Sequence, residues 1–400
     1  MNLLKIKNIR VYLLSIFLTT ISYALPHSIL TLLLLAKGVS LSQIALIQMA
    51  YSGGMILSEF PSGVISDLWS RKSLYLLSKV LLIMMFCLVL FTSNFWTLAL
   101  AWFTYGIASA FDSGTLDSEI IVSLKESDRA LIPHFVSIDN NTQTFALLLG
   151  SVLGSFLYFK INILIYLLAI LLTGLSIFLV YFLYQENPRK NEDLISINTV
   201  LVKEQIRESF SELMHNAKLR KIFCVALISQ IFFQTHFQLW QAFLLEKSVK
   251  EEHFIFYYVI FQVITIVAYS VPIDQVKERL TKRHFSIQLL ILIMVILPFL
   301  LLSKQFFLFS SAYIIFVFLF FLIEYMVNSY FNDAVSEDNI SSLVSLKSTI
   351  SRLFSMLCLL VMSLLLNRFP TSLIVSMSFL ISILLLLGFY YWNRFSNVSK

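Results

Sequence analysis

Long apolar runs alternate with short polar segments along the whole chain, and the runs have the length that crosses a bilayer. A transmembrane helix needs about 20 mostly apolar residues. The first run, Val11 to Ala36, has no Asp, Glu, Lys or Arg in 26 residues and is too long for the core of a signal peptide. The pattern predicts an all-α membrane protein with twelve transmembrane helices. Their predicted limits are 11–36, 40–66, 73–93, 95–121, 130–158, 161–184, 220–245, 253–273, 284–303, 305–329, 342–366 and 370–393.

Composition supports this prediction and excludes a soluble protein. Hydrophobic residues make up 58% of the 400 positions and charged residues only 13%, against about a quarter charged in soluble domains. The net charge of +6 does not indicate nucleic-acid binding, because the basic residues cluster at helix ends.

The basic residues also predict the orientation in the membrane. With twelve spans, 22 of the 29 lysines and arginines fall on the side of the N-terminus and six on the other side, with Lys79 inside the third span and able to snorkel from its start. The positive-inside rule then predicts that both termini lie in the cytoplasm. We expect the protein in the plasma membrane.

The longest polar stretch, Gln185 to Leu219, divides the spans into two sets of six. We predict an N-terminal six-helix bundle at 1–185, a cytoplasmic linker at 186–219 and a C-terminal six-helix bundle at 220–400. Apolar residues of the linker lie on one helical face, which favours an amphipathic helix on the membrane surface; a disordered linker is the alternative.

The two halves resemble each other in the spacing of their charged residues. Asp67 and Asp274, at the ends of the second and eighth spans, are 207 positions apart, and so are Asp117 and Glu324 in the fourth and tenth spans. Equal offsets with equal span counts predict two pseudo-symmetric bundles that arose by duplication. Parallel repeats of this kind are typical of secondary transporters.

The stretch that joins the second span to the third carries the densest set of charged residues in the chain. It reads Glu59-Phe60-Pro61-Ser62-Gly63-Val64-Ile65-Ser66-Asp67-Leu68-Trp69-Ser70-Arg71-Lys72. Charge this dense at the membrane is tolerated at a water-facing helix end or against protein partners.

Gly63, Asp67, Arg71 and Lys72 match the loop motif of the major facilitator superfamily, which this chain resembles over its whole length in span count and repeat. The extension from Glu59 to Gly63 is similar to that of a bacterial drug-efflux-like subgroup. The fourth span resembles that subgroup as well, in the stretch Ser113-Gly114-Thr115-Leu116-Asp117-Ser118-Glu119. Leu68, Ser70 and Val122 depart from the pattern, and the fifth span has Gly150 and Gly154, read as close helix packing, without the Gly-Pro signature of drug antiporters.

The resemblance implies a conformational switch at this loop. A carboxylate at a helix C-terminus needs a positive partner, and Asp67 stands at such an end. In the family that partner is the start of the eleventh span, with Arg352 nearby, plus Arg71. Asp274 is the counterpart of Asp67 in the second half. Topology signals alone are the other reading of Arg71 and Lys72.

Acidic residues inside the spans are candidates for proton coupling. Asp139 lies about ten residues, roughly 15 Å, into the fifth span, near the membrane midplane. Asp112 lies just past the middle of the fourth span, and four further acids lie nearer the cytoplasm: Asp117, Glu119, Glu59 and Glu324. Structural carboxylates and interface charges are the alternatives. No basic residue occupies the middle of the fourth or fifth span, so an acidic cavity would favour cationic or neutral substrates.

Polar residues in other spans are candidates for the substrate cavity. The seventh span places four glutamines on one helical face, where either substrate contact or interhelical hydrogen bonding would satisfy them. The cavity candidates are Tyr23, His27, Gln230, Gln234, Gln238, Trp240, Gln241 and Asn328.

These residues predict a secondary transporter rather than an enzyme. No nucleotide-binding loop, zinc spacing or nucleophile triad occurs in the sequence, so no cofactor or metal is expected. We expect a monomer whose partners are a small-molecule substrate, protons and the lipid bilayer. Proton-coupled export of small amphipathic or cationic compounds by alternating access is the first hypothesis. Uptake of a nutrient by a symporter or facilitator is the second, and a non-transporting membrane sensor is the third.

Overall fold

The computed structural model describes residues 3–68, 70–186, 207, 210–272, 294–335 and 340–398. For residues 4, 60–68, 332, 340–342 and 392–398 this description covers the backbone only. The chain divides into two compact units, Met1–Asn198 and Thr199–Lys400. Most of the predicted linker at 186–219 lies outside the described residues, so its amphipathic helix stays a prediction.

In the described part of the first unit there are eight α-helices, and two pairs of them divide a predicted span. They are α1 (Lys7–His27), α2 (Leu30–Ala36), α3 (Leu41–Leu68), α4 (Arg71–Phe91), α5 (Phe95–Asp112), α6 (Leu116–Ser127), α7 (Ile132–Ile161) and α8 (Ile165–Leu183). Helix α1 packs between α7 and α8, and α3 packs along α5. The first span was predicted as one helix over 11–36 but breaks after His27, next to Pro26, which lacks the N–H of a helical hydrogen bond.

Polar side chains cap the helices where the apolar runs begin. Asn94 accepts a hydrogen bond from the backbone N–H of Trp96 at 2.9 Å at the start of α5, and Ser70 accepts one from Ser73 at 2.9 Å at the start of α4. Such caps satisfy N–H groups that the first turn of a helix leaves free.

Helices α1 and α7 approach so closely that their contact requires glycine. A Cβ atom on Gly154 would lie 2.0 Å from the carbonyl oxygen of Leu25, and one on Gly150 would lie 2.8 Å from the Cβ of Ala24. Small residues permit this backbone-to-backbone packing. The spacing Gly150-x-x-x-Gly154 was read from the sequence as a packing feature, and it serves that purpose here.

The second unit repeats this plan around a central helix. Its described helices are α9 (210–215), α10 (Ala217–Glu246), α11 (Phe254–Tyr269), α12 (294–300), α13 (Phe306–Ala334), α14 (Ile340–Leu366) and α15 (Thr371–Val398). Helix α10 packs against α13, α14 and α15. Aromatic rings surround the buried His236 of α10, whose Nδ1 lies 3.1 Å from the hydroxyl of Tyr313.

In each unit, a lysine that follows the first span donates a hydrogen bond to a backbone carbonyl group at the end of the third span of the same unit. Lys37 Nζ donates to the backbone oxygen of Thr92 at 2.7 Å, and Lys247 Nζ donates to that of Ser303 at 2.9 Å. The lysines are 210 positions apart, within three positions of the predicted repeat offset of 207. We call these two features, with the turns that carry them, the lysine joints.

The turns of the two lysine joints share one backbone conformation. The residue after each lysine has a positive φ, +81° at Gly38 and 60° at Ser248. The next residue, Val39 or Val249, donates its N–H to the carbonyl five positions earlier, at 3.2 Å and 3.0 Å. This is the bond of a helix that ends in a left-handed residue. The two units therefore share local geometry as well as charge spacing.

Within the residues that the structure describes, eight helical segments are long and apolar enough to cross a membrane. One of them, Arg129–Leu183, is 55 residues long and contains both α7 and α8. Large apolar side chains such as Phe91, Phe178 and Phe307 are exposed on these helices. A lipid environment accounts for exposed apolar surface of this extent.

Candidate functional site

A cavity of about 390 Å³ lies inside the first unit. Six helices, α1 and α3 to α7, contribute to its wall. The polar lining residues are Tyr12, Thr19, Tyr23, Tyr51, Tyr75, Ser78, Lys79, Tyr105, Ser109, Asp112, Ser113, Thr115, Asp117, Asp139 and Gln143. Three predicted coupling acids, Asp112, Asp117 and Asp139, therefore share one cavity with the predicted Tyr23.

The fourth span is interrupted where it borders this cavity. It was predicted as one helix over 95–121, but α5 ends at Asp112 and α6 begins at Leu116. Between them Gly114 has φ of +72°, a conformation that glycine adopts without steric cost, and Thr115 Oγ1 donates to the carbonyl of Asp112 at 2.8 Å. Non-helical backbone at membrane depth is tolerated where it lines a cavity instead of lipid, and this break does so.

Lys79 and Asp112 form an ion pair in the wall of the cavity. Lys79 Nζ lies 2.6 Å from Asp112 Oδ1 and 4.3 Å from the centre of the Tyr75 ring. The sequence predicted that Lys79 snorkels to the membrane surface, and this is wrong. Its side chain is only 3% exposed, because the carboxylate and the aromatic face provide the partners that water would otherwise supply.

Asp139 is held by two neutral groups instead of a cation. The Tyr12 hydroxyl donates to Asp139 Oδ1 at 3.1 Å, and Gln143 Nε2 donates to Oδ2 at 3.0 Å. Asp139 is half-buried and open to the cavity. The arrangement satisfies the carboxylate in either protonation state, since a protonated oxygen can donate to the hydroxyl.

Five tyrosines line the cavity, of which the sequence predicted only Tyr23. Their rings bring both aromatic faces and hydroxyl groups to the site, and those of Tyr51 and Tyr105 lie 4.9 Å apart. Tyr12 and Tyr23 are eleven positions apart, with Thr19 between them at helical spacing. That stripe on the first span is a signal that could have identified Tyr12.

Other predicted coupling acids lie away from this cavity. Glu119 is buried on α6 and lines a separate pocket of about 190 Å³ with Asn8 and Tyr184. Glu59 is half-buried on α3. In the second unit, Glu324 accepts a hydrogen bond from the hydroxyl of Tyr269 at 3.2 Å.

Two cavity candidates occupy exposed positions. His27 is exposed as the last residue of α1 and does not line the cavity described above. Asn328 is exposed on α13, where its Oδ1 accepts a hydrogen bond from Lys347 Nζ at 2.7 Å.

The glutamine stripe of the seventh span makes contacts inside the second unit. Ser355 of α14 donates to Gln230 Oε1 at 3.0 Å, and Gln234 Nε2 donates to Ser355 Oγ at 3.1 Å. These bonds match the interhelical alternative that the sequence left open. Gln238 is half-buried and Gln241 is buried on the same helix.

Trp240 is buried against aromatic rings of the neighbouring helix. Its ring centroid lies 5.7 Å from that of Phe254 and 5.6 Å from that of Phe261. Packing therefore accounts for Trp240 in this structure.

The switch motif is described in part. Asp274 lies outside the described residues, and at Gly63 and Asp67 only the helical backbone is described. Lys72 Nζ donates to the carbonyl groups of Tyr181 and Tyr184 at 2.9 and 2.8 Å.

These bonds give Lys72 a role within the first unit, because a cation at a helix C-terminus binds carbonyl groups that the last turn leaves free. Arg71 begins α4, and Arg352 Nε donates to Ser348 Oγ at 3.2 Å within α14. The switch itself stays a prediction.

Membrane-spanning helices in two repeated units, the first of which contains a polar cavity, are typical of a membrane transporter. The sequence model of the Major Facilitator Superfamily matches residues 12–357, and the chain belongs to this family. The predicted fold class is confirmed: an all-α membrane protein with twelve transmembrane helices in two pseudo-symmetric six-helix bundles. The chain is thus a multi-pass transporter of small molecules in a lipid bilayer.

Solved structures of other family members are similar over nearly the whole chain. The nucleoside transporter NupG is 14% identical with a TM-score of 0.71, covering 98% of this chain and 99% of that one. A bacterial homologue of the human lysosomal transporter Spinster is 13% identical with a TM-score of 0.70, covering 97% of each chain.

A bacterial homologue of the iron transporter ferroportin is 15% identical with a TM-score of 0.69, covering 97% of this chain and 99% of that one. No curated protein matches the chain by sequence. Identities this low show the fold alone, so the substrate must be inferred from the cavity.

Proposed function

We propose that this protein is a proton-coupled transporter that exports small cationic or amphipathic compounds by alternating access. The observation that supports the proposal best is the Asp139 carboxylate, which borders the cavity and has only the neutral donors Tyr12 and Gln143 as hydrogen-bond partners among the described residues. A carboxylate without a bound cation can take up either a proton or the positive group of a substrate. That competition is the basis of exchange.

The charges of the cavity favour a cationic substrate. Its lining includes three aspartates and one lysine, so an excess of negative charge remains after Lys79 pairs with Asp112. Aromatic faces, supplied by five tyrosines, attract cations and the flat apolar parts of a substrate. An anion would meet two carboxylates that have no basic partner in the lining.

In the proposed cycle, a proton that binds Asp139 displaces the substrate cation on one side of the membrane, and loss of the proton restores the site on the other. The switch motif of Gly63, Asp67, Arg71, Lys72, Asp274 and Arg352 would bias the two conformations. A ligand can shift such an equilibrium only through a difference in its affinity for the two states.

The test is flux of ethidium, a cationic aromatic dye, in vesicles that contain the purified protein and an imposed proton gradient. We expect gradient-dependent flux that a protonophore abolishes and that Asp139→Asn loses. Asp333→Asn is the matched control, because this aspartate is exposed on α13 and does not line the cavity. Flux that persists in Asp139→Asn with unchanged pH dependence would contradict the assigned coupling site.

A second candidate is uptake of a hydroxylated nutrient by a symporter or facilitator. The cavity favours it through its many hydroxyl groups, contributed by tyrosine, serine and threonine side chains that can bond sugar-like substrates. Direction separates the two candidates. Cells without an exporter become more sensitive to toxic cations, whereas cells without an uptake system grow poorly on the nutrient.

A further inference from the structure

The two members of the ion pair in the cavity wall differ strongly in exposure. The Lys79 side chain is 3% exposed and that of Asp112 is 33% exposed, so the carboxylate is the more accessible partner of the pair. Ser78 Oγ, at 3.3 Å, and Lys79 Nζ, at 2.6 Å, both donate to the same oxygen, Oδ1. Among the described residues no hydrogen bond is made to Oδ2, which leaves that oxygen for a ligand.

This geometry makes protonation of Asp112 unfavourable. An ammonium group at hydrogen-bond distance favours the ionised carboxylate. A proton on Asp112 would leave the buried Lys79 cation without its counter-ion, which is the costly way to break a buried pair. The buried amine cannot reach water as a surface lysine does.

The groups around the pair do not replace Lys79 or Asp112 in these roles. The Tyr75 ring lies beneath the ammonium group, and Tyr23 and Tyr105 line the same cavity from α1 and α5. Among the described residues, the other charged groups that line the cavity are Asp117 and Asp139, both negative. They add to the field that attracts cations but supply no positive charge to Asp112.

We propose that Lys79 is a positioning residue that keeps Asp112 ionised throughout the transport cycle. Asp112 then binds a hydrogen-bond donor of the substrate, and protons bind elsewhere in the cavity. The transport part of this inference rests on the proposed function. The substrate class is thereby narrowed to compounds with an N–H or O–H donor, such as protonated amines. Lys79 also limits the number of protons exchanged per substrate.

Infrared difference spectroscopy of the purified protein tests the ionisation of Asp112 without any transport. Acid titration produces a carbonyl band for each carboxyl group that becomes protonated. When Lys79 is present, we expect the Asp112→Asn variant to show the same bands as the unmodified protein. In a Lys79→Gln background we expect an additional band, and Asp112→Asn should remove it.

Two matched variants separate charge from local structure. Lys79→Arg keeps the positive charge and should show no additional band, and Ser78→Ala removes the other donor to Oδ1 and should also show none. Loss of a band on Asp112→Asn in the otherwise unmodified protein would overturn the inference. This outcome can be measured even where Lys79→Gln does not fold.

Binding and flux measurements then test the role toward substrate, with ethidium as the probe because it carries amino donors. We expect Asp112→Asn to weaken ethidium binding by about tenfold, equivalent to about 1.4 kcal/mol, with the pH dependence of binding unchanged. Asp139→Asn should change that pH dependence. In vesicles, Lys79→Gln should exchange one proton more per ethidium than the unmodified protein.

The two proposals fail in different ways. Absence of gradient-driven flux in the unmodified protein would contradict the proposed function and leave the infrared result intact. A proton count in vesicles that is the same for Lys79→Gln and the unmodified protein would overturn the inference and leave proton coupling through Asp139 intact.

Discussion

Replacement of Gly154 by alanine should destabilise the first unit, because it adds one methyl group to a backbone contact that has no space for it. The added Cβ atom would lie 2.0 Å from the carbonyl oxygen of Leu25 and 2.7 Å from its carbonyl carbon. Separations under 3.0 Å require movement, and here the obstacle is the backbone of α1 rather than a flexible side chain. Helices α1 and α7 must therefore separate by about an ångström.

The expected magnitude follows from the cost of overpacking, about 1–3 kcal/mol for added methylene groups in a packed core. Alanine also has a higher helix propensity than glycine, by up to about 1 kcal/mol. Gly174→Ala in α8 makes the same chemical change where no atom lies within 4 Å of the new Cβ. This control isolates the propensity, and the difference between the two variants isolates the steric cost.

The assay is equilibrium unfolding in mixed detergent micelles, followed by circular dichroism and tryptophan fluorescence. We expect Gly154→Ala to unfold at a lower fraction of denaturing detergent than the unmodified protein and Gly174→Ala to be unchanged or slightly more stable. Equal stability of the two variants would refute the packing of α1 against α7 as described. Ethidium flux in Gly154→Ala should also fall, since α1 carries two cavity tyrosines.

Four smaller predictions use the same unfolding assay, two of them together with a flux or hydrogen-exchange measurement. Lys247→Met should cost about 1.5 kcal/mol, because it removes a charge-assisted bond to a carbonyl group. Ser248→Gly should stabilise by about 1 kcal/mol by relieving a left-handed backbone conformation, and no gain would mean that another constraint holds this turn. Gln234→Leu should cost only about 0.6 kcal/mol for its bond to Ser355, so a large loss of flux with little loss of stability would show substrate contact instead. Lys72→Met should lower the free energy of unfolding by about 0.5–1 kcal/mol and speed hydrogen exchange at the end of α8. Protection equal to that of the unmodified protein would argue against a capping role for Lys72.

The helices could be predicted from the sequence because lipid leaves the backbone few alternatives. An apolar run such as that of α8, without a charged residue, must satisfy its polar backbone groups internally and therefore forms a helix. The break at Gly114 could not be predicted in this way. Ser, Gly and Thr also occur in continuous transmembrane helices, and what favours the break is the cavity that other helices form beside it.

The site was predicted residue by residue but not as an assembly. Asp112 and Asp139 stood out as acids at membrane depth, and both line the cavity. The partner of Asp112 was missed because Lys79 is 33 positions away on another helix and its place near a span end suggested snorkelling. Pairing between helices depends on their rotation about their axes, and hydrophobic patterns specify only which broad face is buried.

The lysine joints show that the two units are more alike in local backbone conformation than in residue type. The same turn follows the first span of each unit, yet one copy has Gly38 and the other Ser248 at the left-handed position. Serine has no intrinsic preference for that conformation, so what the two units share at this position is the course of the backbone and not the residue type. Around this common turn the units differ in content, with an ion pair in the first unit and aromatic rings around a buried histidine in the second. The same local backbone can therefore carry different chemistry in the two units, because the turn depends on its main-chain hydrogen bonds and its lysine and not on the residues packed elsewhere in each unit.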